Sequence, residues 1–258
     1  MRGACELGLC ILLAGCCLRP ATLSGAASPP MDGAPVGVVG VVDRALHAVV
    51  CAGTVIRSTA EGTGFAGYVL TAKHCAVDGG VPRQVGVGLP APGDHLLPFS
   101  SRVMDATIAY ASTSEEDTHA GTISWVDGDW AILKVHTESP LAIVATFVGE
   151  PSIAIKPGER VAIAAHTDVT YIDSGAHRYL LRPHEHVFAW TDVPREVVQG
   201  GHSGAPVLWN GEVVAVFVGA TLCSPLCRLV SGDEWPTRLR LVSIGSIRRE
   251  ATKQGFLF

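Results

Sequence analysis

Ser203 is the residue whose type and setting most clearly could do chemistry. It lies within residues 199–207, which read Gln-Gly-Gly-His-Ser-Gly-Ala-Pro-Val. Glycine has no Cβ atom, so the backbone beside it can turn until successive N–H groups point at one spot. Such N–H groups could bind the oxygen of a tetrahedral intermediate while the hydroxyl attacks a carbonyl carbon. The segment therefore predicts a nucleophile, with the backbone N–H groups of Gly201 and Ser203 as the oxyanion hole.

Two other segments supply groups that a serine nucleophile needs. His74 follows an apolar run that begins at Tyr68, and Asp129 stands directly before the apolar run 130–135. A serine hydroxyl is a poor nucleophile at neutral pH and requires a base within hydrogen-bonding reach. Histidine titrates near neutrality, so it could take that proton and later give it to the leaving amine. A carboxylate on the far ring nitrogen would fix the tautomer of the histidine.

The order His74, Asp129, Ser203 closely resembles that of the trypsin/chymotrypsin-like serine peptidases. The family motifs read roughly Thr-Ala-Ala-His-Cys, Asp-x-Ala-Leu-Leu and Gly-Asp-Ser-Gly-Gly-Pro, and this chain has Thr-Ala-Lys-His-Cys, Asp-Trp-Ala-Ile-Leu and Gly-His-Ser-Gly-Ala-Pro. The resemblance covers about residues 36 to 250. Because the family places its acid immediately before the apolar strand, Asp129 is a better candidate than Asp127. The resemblance implies a serine endopeptidase that needs no cofactor and no metal ion.

Short apolar runs between glycines and prolines predict an all-β protein. The chain has 29 glycines and 16 prolines, and the runs lie at about 36–42, 47–56, 66–72, 84–88, 103–111, 130–135, 161–165, 178–190, 206–209, 213–218 and 239–243. The resemblance implies two six-stranded antiparallel β-barrels, at about 36–140 and 155–258, with the active site in the cleft between them. A short C-terminal helix is expected over Ser246 to Gln254.

The first 28 residues have the pattern of a targeting segment, and residues 29–35 that of a linker before a peptidase domain at 36–258. A short apolar core, 7–15, follows Arg2. Two interpretations compete. Cys16 could be the lipidated residue of a lipoprotein signal, or an ordinary signal peptide could be cleaved near Ala26 or Ala27. Either one predicts an exported protein: secreted, periplasmic or lipid-anchored at the cell surface, where disulfides can form.

Cysteine counting bears on these interpretations. Ordinary cleavage removes four cysteines and leaves an even set, Cys51, Cys75, Cys223 and Cys227, whereas lipidation of Cys16 leaves Cys17 as an odd thiol. In the related peptidases a disulfide braces the histidine loop, and Cys51 and Cys75 stand at its two positions. Cys223 and Cys227 could form a small local bridge, and a metal site there is the weaker hypothesis because structural zinc takes four ligands.

Substrate preference is inferred by alignment with the same family. Val197 is expected at the base of the primary pocket, with Phe217, Val218 and Gly219 along its wall and the substrate backbone. No acid stands among them, so we expect an uncharged, apolar preference. His184 and His186 could meet an acidic substrate group or a metal ion, although a solvent-facing pair is more common.

His202 stands where many animal relatives carry an aspartate that pairs with a newly released N-terminus. The residue directly before Val36 is Pro35 and not an arginine or lysine, so we expect no zymogen switch of that kind.

The expected partner is a protein or peptide substrate. A formal net charge of -5 gives no electrostatic reason to expect nucleic acid. Two rival functions are a catalytically silent relative that binds proteins through the same cleft, and an esterase. The intact triad argues against the first, and the absence of a strand-turn-helix context around Ser203 argues against the second.

Overall fold

A computed structural model describes nine segments of the chain. They are residues 37–89, 103–113, 128–142, 160–165, 169–173, 187–191, 201–209, 211–222 and 237–258. Most of these residues are in β-strands, as the sequence predicts. Within the described segments, no helix combines the length and the apolar character that crossing a membrane requires. The predicted targeting segment at 1–28 and the linker at 29–35 lie outside the described residues.

The first half of the described chain contains eight strands and one short helix. They are β1 (Val38–Asp43), β2 (Ala48–Glu61), β3 (Gly64–Thr71), α1 (Lys73–Ala76), β4 (Val77–Asp78), β5 (Val81–Pro82), β6 (Val85–Gly88), β7 (Val103–Ala111) and β8 (Ala131–Thr137). Six of them close into an antiparallel barrel in the order β1-β2-β3-β8-β7-β6, and β4 pairs with β5 as a separate ribbon. The first of the two predicted barrels is confirmed.

Apolar, mostly β-branched side chains fill the barrel, which is why these runs form strands. Val41, Val69, Val87 and Leu133 have no measurable exposure. Burial of each such side chain stabilises the fold by roughly 1.5–3 kcal/mol relative to an exposed position. A purely polar face on any of these strands would leave the barrel without its core.

The pairing of β3 with β8 sets the geometry of the site. The ladder runs without a bulge from Phe65 opposite Thr137 to Thr71 opposite Ala131. Because the two strands are antiparallel, the end of β3 and the start of β8 meet at one end of the barrel. His74 comes three residues after Thr71, and Asp129 comes two residues before Ala131. The register therefore brings both to the same end.

The described strands of the second half form one antiparallel sheet. Its strands are β9 (Arg160–Ala164), β10 (Val169–Asp173), β11 (Val187–Thr191), β12 (Pro206–Trp209), β13 (Glu212–Leu222) and β14 (Thr237–Ser243), in the order β10-β9-β12-β13-β14-β11. We expected a second closed barrel here. The described residues form a six-stranded sheet in which β10 and β11 are the outer strands.

The chain leaves β14 directly into a helix, α2 (Ile244–Lys253). Ser243 caps it, because its hydroxyl accepts a hydrogen bond from the N–H of Ser246 at 3.2 Å. The helix packs against β13 and β14 through a buried face that includes Ile247. The predicted C-terminal helix is confirmed, and it begins two residues earlier than expected.

Beyond α2 the chain packs on the first barrel. Phe256 is buried, and its ring lies 5.3 Å from that of Tyr68, 5.1 Å from that of Tyr110 and 5.4 Å from that of Phe258, between centroids. Such tilted and edge-on aromatic pairs add about 0.5–1.5 kcal/mol each beyond burial. The cluster fastens the end of the described chain to the barrel that carries His74.

Candidate active site

His74 lies on α1, a single helical turn that directly follows β3. The next residue, Cys75, is bonded to Cys51 on β2, with 6.1 Å between their Cα atoms. The predicted Cys51–Cys75 disulfide is therefore present, and it ties the histidine turn to the neighbouring strand. The side chain of His74 is 41% exposed, so its outer edge faces solvent.

Asp129 holds His74 through two hydrogen bonds. Its Oδ2 lies 2.7 Å from Nδ1 of the imidazole, and its Oδ1 accepts the backbone N–H of His74 at 3.0 Å. An ionised carboxylate can only accept, so Nδ1 must donate its proton here. In the neutral imidazole, the other ring nitrogen, Nε2, then carries the lone pair. This tautomer is inferred from the hydrogen bond, and it is the one that a general base requires.

Burial separates the roles of the two groups. The Asp129 side chain is only 5% exposed, against 41% for the imidazole that it contacts. An unpaired carboxylate at such a depth would be costly, and the two donors from His74 offset that cost. The imidazole of His74 is thus accessible from solvent, whereas the carboxylate of Asp129 lies inside the protein.

The turn that carries Ser203 is shaped by two glycines. Gly201 and Gly204 have φ angles of +97° and +85°, which side-chain-bearing residues rarely adopt. The Gly204 N–H donates to the carbonyl of Phe217 on β13 at 2.6 Å, and the Phe217 N–H donates to Ala205 at 2.8 Å. These paired hydrogen bonds fix the turn to its own sheet.

The same turn is also fixed to the first barrel. The N–H of Ala52 on β2 donates to the carbonyl of Ser203 at 2.7 Å. A Cβ atom on Gly204 would overlap the Ala52 carbonyl oxygen and the Thr71 hydroxyl, and that hydroxyl itself donates to the Ala52 carbonyl at 2.7 Å. Only glycine permits this close approach of the serine turn to the end of β3.

The Ser203 backbone lies against the sulfur of Cys75, the residue that follows His74. The Cys75 sulfur lies 4.0 Å from the carbonyl oxygen of Ser203, a contact rather than a hydrogen bond because a disulfide sulfur has no proton. A ring nitrogen of His74 lies within 4.8 Å of the sulfurs of Cys51 and Cys75. The structure thus brings the three residues predicted as a triad to one end of the first barrel.

That cluster of Cys51, His74 and Cys75 also satisfies the spacing of a metal site. It is the one such group among the described residues. Both sulfurs are joined to each other, and zinc binds cysteine as thiolate, so the oxidised pair offers no ligands. The His74 nitrogen alone would remain, and its Nδ1 is committed to Asp129.

The remaining predicted residues have different outcomes. Phe217 and Val218 are buried at 2% and 4% exposure, and Gly219 follows them at a β-bulge in the β13–β14 ladder. Their contact with substrate stays a prediction. Several other predicted residues lie outside the described part of the chain: Val197, Cys223, Cys227, Cys16, Asp127, His184 and His186.

Sequence reasoning missed Glu250, which lies close to the site. Its carboxylate accepts a hydrogen bond from the indole Nε1 of Trp130, the residue after Asp129, at 2.9 Å. A buried tryptophan normally finds a partner for its indole N–H, so the sequence indicated that a partner exists. Its identity was hidden because 120 positions separate Glu250 from Trp130.

A scan against models of protein families gives no match, and a search of curated proteins also gives none.

Proposed function

We propose that this chain is an exported serine endopeptidase of the trypsin/chymotrypsin type. The observation that carries the proposal is the hydrogen-bonded pair of Asp129 and His74 beside the turn of Ser203. Any one of these residues is ordinary in a folded protein. Their convergence from positions 74, 129 and 203 at one end of the first barrel supports a single reaction centre.

The proposed reaction is acyl transfer in two stages. The Ser203 hydroxyl oxygen attacks the peptide carbonyl carbon while its proton passes to Nε2 of His74, and the carbonyl oxygen becomes an oxyanion. The C–N bond then breaks as His74 delivers that proton to the leaving amine. In the second stage water attacks the acyl ester and gives a proton to His74. The C–O bond to Ser203 then breaks as His74 passes that proton to the Ser203 oxygen, and the carboxylic acid product leaves.

Backbone N–H groups of Gly201 and Ser203 are the proposed oxyanion hole. The positive φ of Gly201 turns the backbone ahead of the serine, and alternating backbone conformations of this kind make concave anion sites. One donor of this type typically contributes about 10²–10³ in rate. The donors are part of the backbone, so the Ser203 turn must be intact for the site to work.

The finer architecture belongs to the same proposal. We infer that the second sheet closes into a barrel, with Ser203 in the cleft between two barrels. Export is supported by the Cys51–Cys75 disulfide, because such bonds persist mainly in oxidising compartments. An apolar substrate preference, with Val197 in the primary pocket, and membrane anchoring through a lipidated Cys16 remain parts of the proposal.

Peptide turnover tests the proposal. The purified protein is incubated with a library of internally quenched peptides and, separately, with simple esters. We expect cleavage of peptides after uncharged apolar residues, and we expect Ser203→Ala to abolish it while Ser139→Ala, at an exposed serine, does not. Turnover of esters alone would favour the esterase. No turnover of either by folded protein would favour the binding module.

A further inference from the structure

Glu250 makes an unusually dense set of contacts for a half-buried helical residue. One carboxylate oxygen accepts the Trp130 indole N–H at 2.9 Å, and the other accepts the Thr113 N–H at 2.9 Å. The hydroxyls of Ser112 and Thr113 donate to the same carboxylate at 3.1 and 3.2 Å. Hydrogen bonds to an ionised acceptor are about twice as strong as neutral ones, so this is a firm attachment.

Two of these three donor residues, Trp130 and Ser112, are hydrogen-bonded to each other beside Asp129. Trp130 follows Asp129 directly and is 1% exposed. Its carbonyl accepts the N–H of Ser112 at 3.0 Å, and its own N–H donates to Gly128 at 2.8 Å. Glu250 thus holds the Trp130 side chain directly. It also binds Ser112, whose backbone N–H holds the Trp130 carbonyl.

The backbone ahead of Asp129 needs such a constraint. Gly128 has a φ of +95°, and glycine is the residue that restricts its own conformation least. Trp130 is the other chain neighbour of Asp129 and its side chain is anchored to Glu250, so the position of Trp130 affects that of the Asp129 carboxylate. The 2.7 Å contact between Asp129 and Nδ1 of His74 depends on that position.

Glu250 also connects the two halves of the proposed site. It lies on α2, which continues directly from β14, and β14 pairs with β13. The Phe217 backbone on β13 holds the turn of Ser203. The helix that follows the Ser203 sheet thus supplies Glu250, which holds the residue next to Asp129 on the first barrel.

We propose that Glu250 is a positioning residue that orients Asp129, and through it His74, by holding Trp130. This inference rests on the proposed function for its effect on rate. The geometric part is independent of activity. Loosening Trp130 lets the Asp129 carboxylate move away from Nδ1, and a misplacement of about 1 Å at a reacting group can cost about 10²-fold in rate.

Two variants and one control test it. Glu250→Ala removes all the acceptors, and Glu250→Gln keeps the size but replaces one acceptor oxygen by an NH₂ donor, so it cannot serve Trp130 and Thr113 together. Gln254→Ala is the matched control, since Gln254 also ties the end of the chain to β7, through the Ala111 carbonyl at 2.9 Å. If Glu250→Ala does not fold, Glu250→Gln carries the test.

The first readout is the NMR signal of the proton on Nδ1 of His74, assigned with His74→Ala and recorded without substrate. We expect its exchange with water to accelerate at least about tenfold in both Glu250 variants and to stay unchanged in Gln254→Ala. The same exchange rate in the wild type and in a folded Glu250 variant would overturn the proposal, whatever the activity of the protein.

The second readout is the rate of labelling by a fluorophosphonate probe. We expect a loss of about 10- to 100-fold in the Glu250 variants, and no further loss when Glu250→Ala is added to Asp129→Asn. An equal loss in both backgrounds would mean that Glu250 acts independently of Asp129 and would contradict the proposal. If the wild type is not labelled at Ser203, the proposed function fails, while the NMR result still decides the role of Glu250.

Discussion

Removing the Cys51–Cys75 disulfide should cost a stability that can be calculated from its loop. The two cysteines are 24 positions apart. In the chain-entropy account, closing a loop of that length removes enough freedom from the unfolded chain to stabilise the native state by about 3.5 kcal/mol at 25 °C. For a domain of this size, such a loss lowers Tm by roughly 7 to 14 °C.

The double variant Cys51→Ala/Cys75→Ala and the reduced wild type separate the cross-link from packing. Reduction breaks the bond and leaves both sulfurs in place, whereas the alanines also remove buried atoms, since the two residues are 4% and 2% exposed. We therefore expect the reduced wild type to lose about 3.5 kcal/mol and the double variant to lose more. Comparing the free energy of unfolding of the double variant with and without reductant gives the contribution of the remaining cysteines to stability.

Urea unfolding followed by tryptophan fluorescence gives the free energies. Mass spectrometry first confirms that the Cys51–Cys75 bond is formed in the wild type. A loss below about 1 kcal/mol in both the reduced protein and the double variant would refute the reasoning. It would mean that the unfolded chain already keeps β2 and α1 together, or that the bond adds nothing to the fold around His74.

Three further predictions concern single residues. Asp129→Asn should slow fluorophosphonate labelling about 10⁴-fold, because the amide would favour the wrong tautomer of His74, and a loss under tenfold would contradict the pairing. Gly204→Ala should lower the free energy of unfolding in urea by at least about 3 kcal/mol, because Gly204 has a φ of +85° and an added Cβ would overlap the Ala52 carbonyl. The control Gly211→Ala has a similar φ of +81° but open space around it, so it should cost only about 1 kcal/mol. Equal losses in the two variants would show that the overlap has no effect. The hydrogen bond from the Leu46 N–H contributes most to holding the pKa of the Asp43 carboxyl below its ordinary 3.8. We therefore expect Asp43→Asn to lower Tm at pH 7, and the difference in Tm from the wild type to shrink as the pH falls below about 3.8. A difference in Tm that grows in acid would contradict this prediction.

The strands were predictable where apolar runs are long and bounded by turns. The runs at 103–111 and 206–209 match β7 and β12 residue for residue. β10 was missed because Val169–Asp173 is short and offers only two aliphatic residues and a tyrosine among polar ones. Ser243 is of a residue type favoured as an N-cap, so the sequence does contain a marker for the start of α2.

The site was predictable only in part, and the reason is sequence distance. His74, Asp129 and Cys75 each stand in a local motif, so a resemblance could identify them together. Glu250 stands in no motif. Its role depends on α2 crossing to the end of β7, and no local periodicity encodes a contact between residues 120 to 138 positions apart.

Covalent labelling of the wild-type protein by a fluorophosphonate probe is the direct test of Ser203 as an activated nucleophile. The site of modification is read by mass spectrometry of the digested protein, alongside Ser203→Ala, His74→Ala and the exposed-histidine control His136→Ala. We expect one adduct per chain on Ser203, lost in the first two variants and kept in the third. An adduct on another residue, or no adduct on folded protein with its Cys51–Cys75 bond formed, would contradict this expectation.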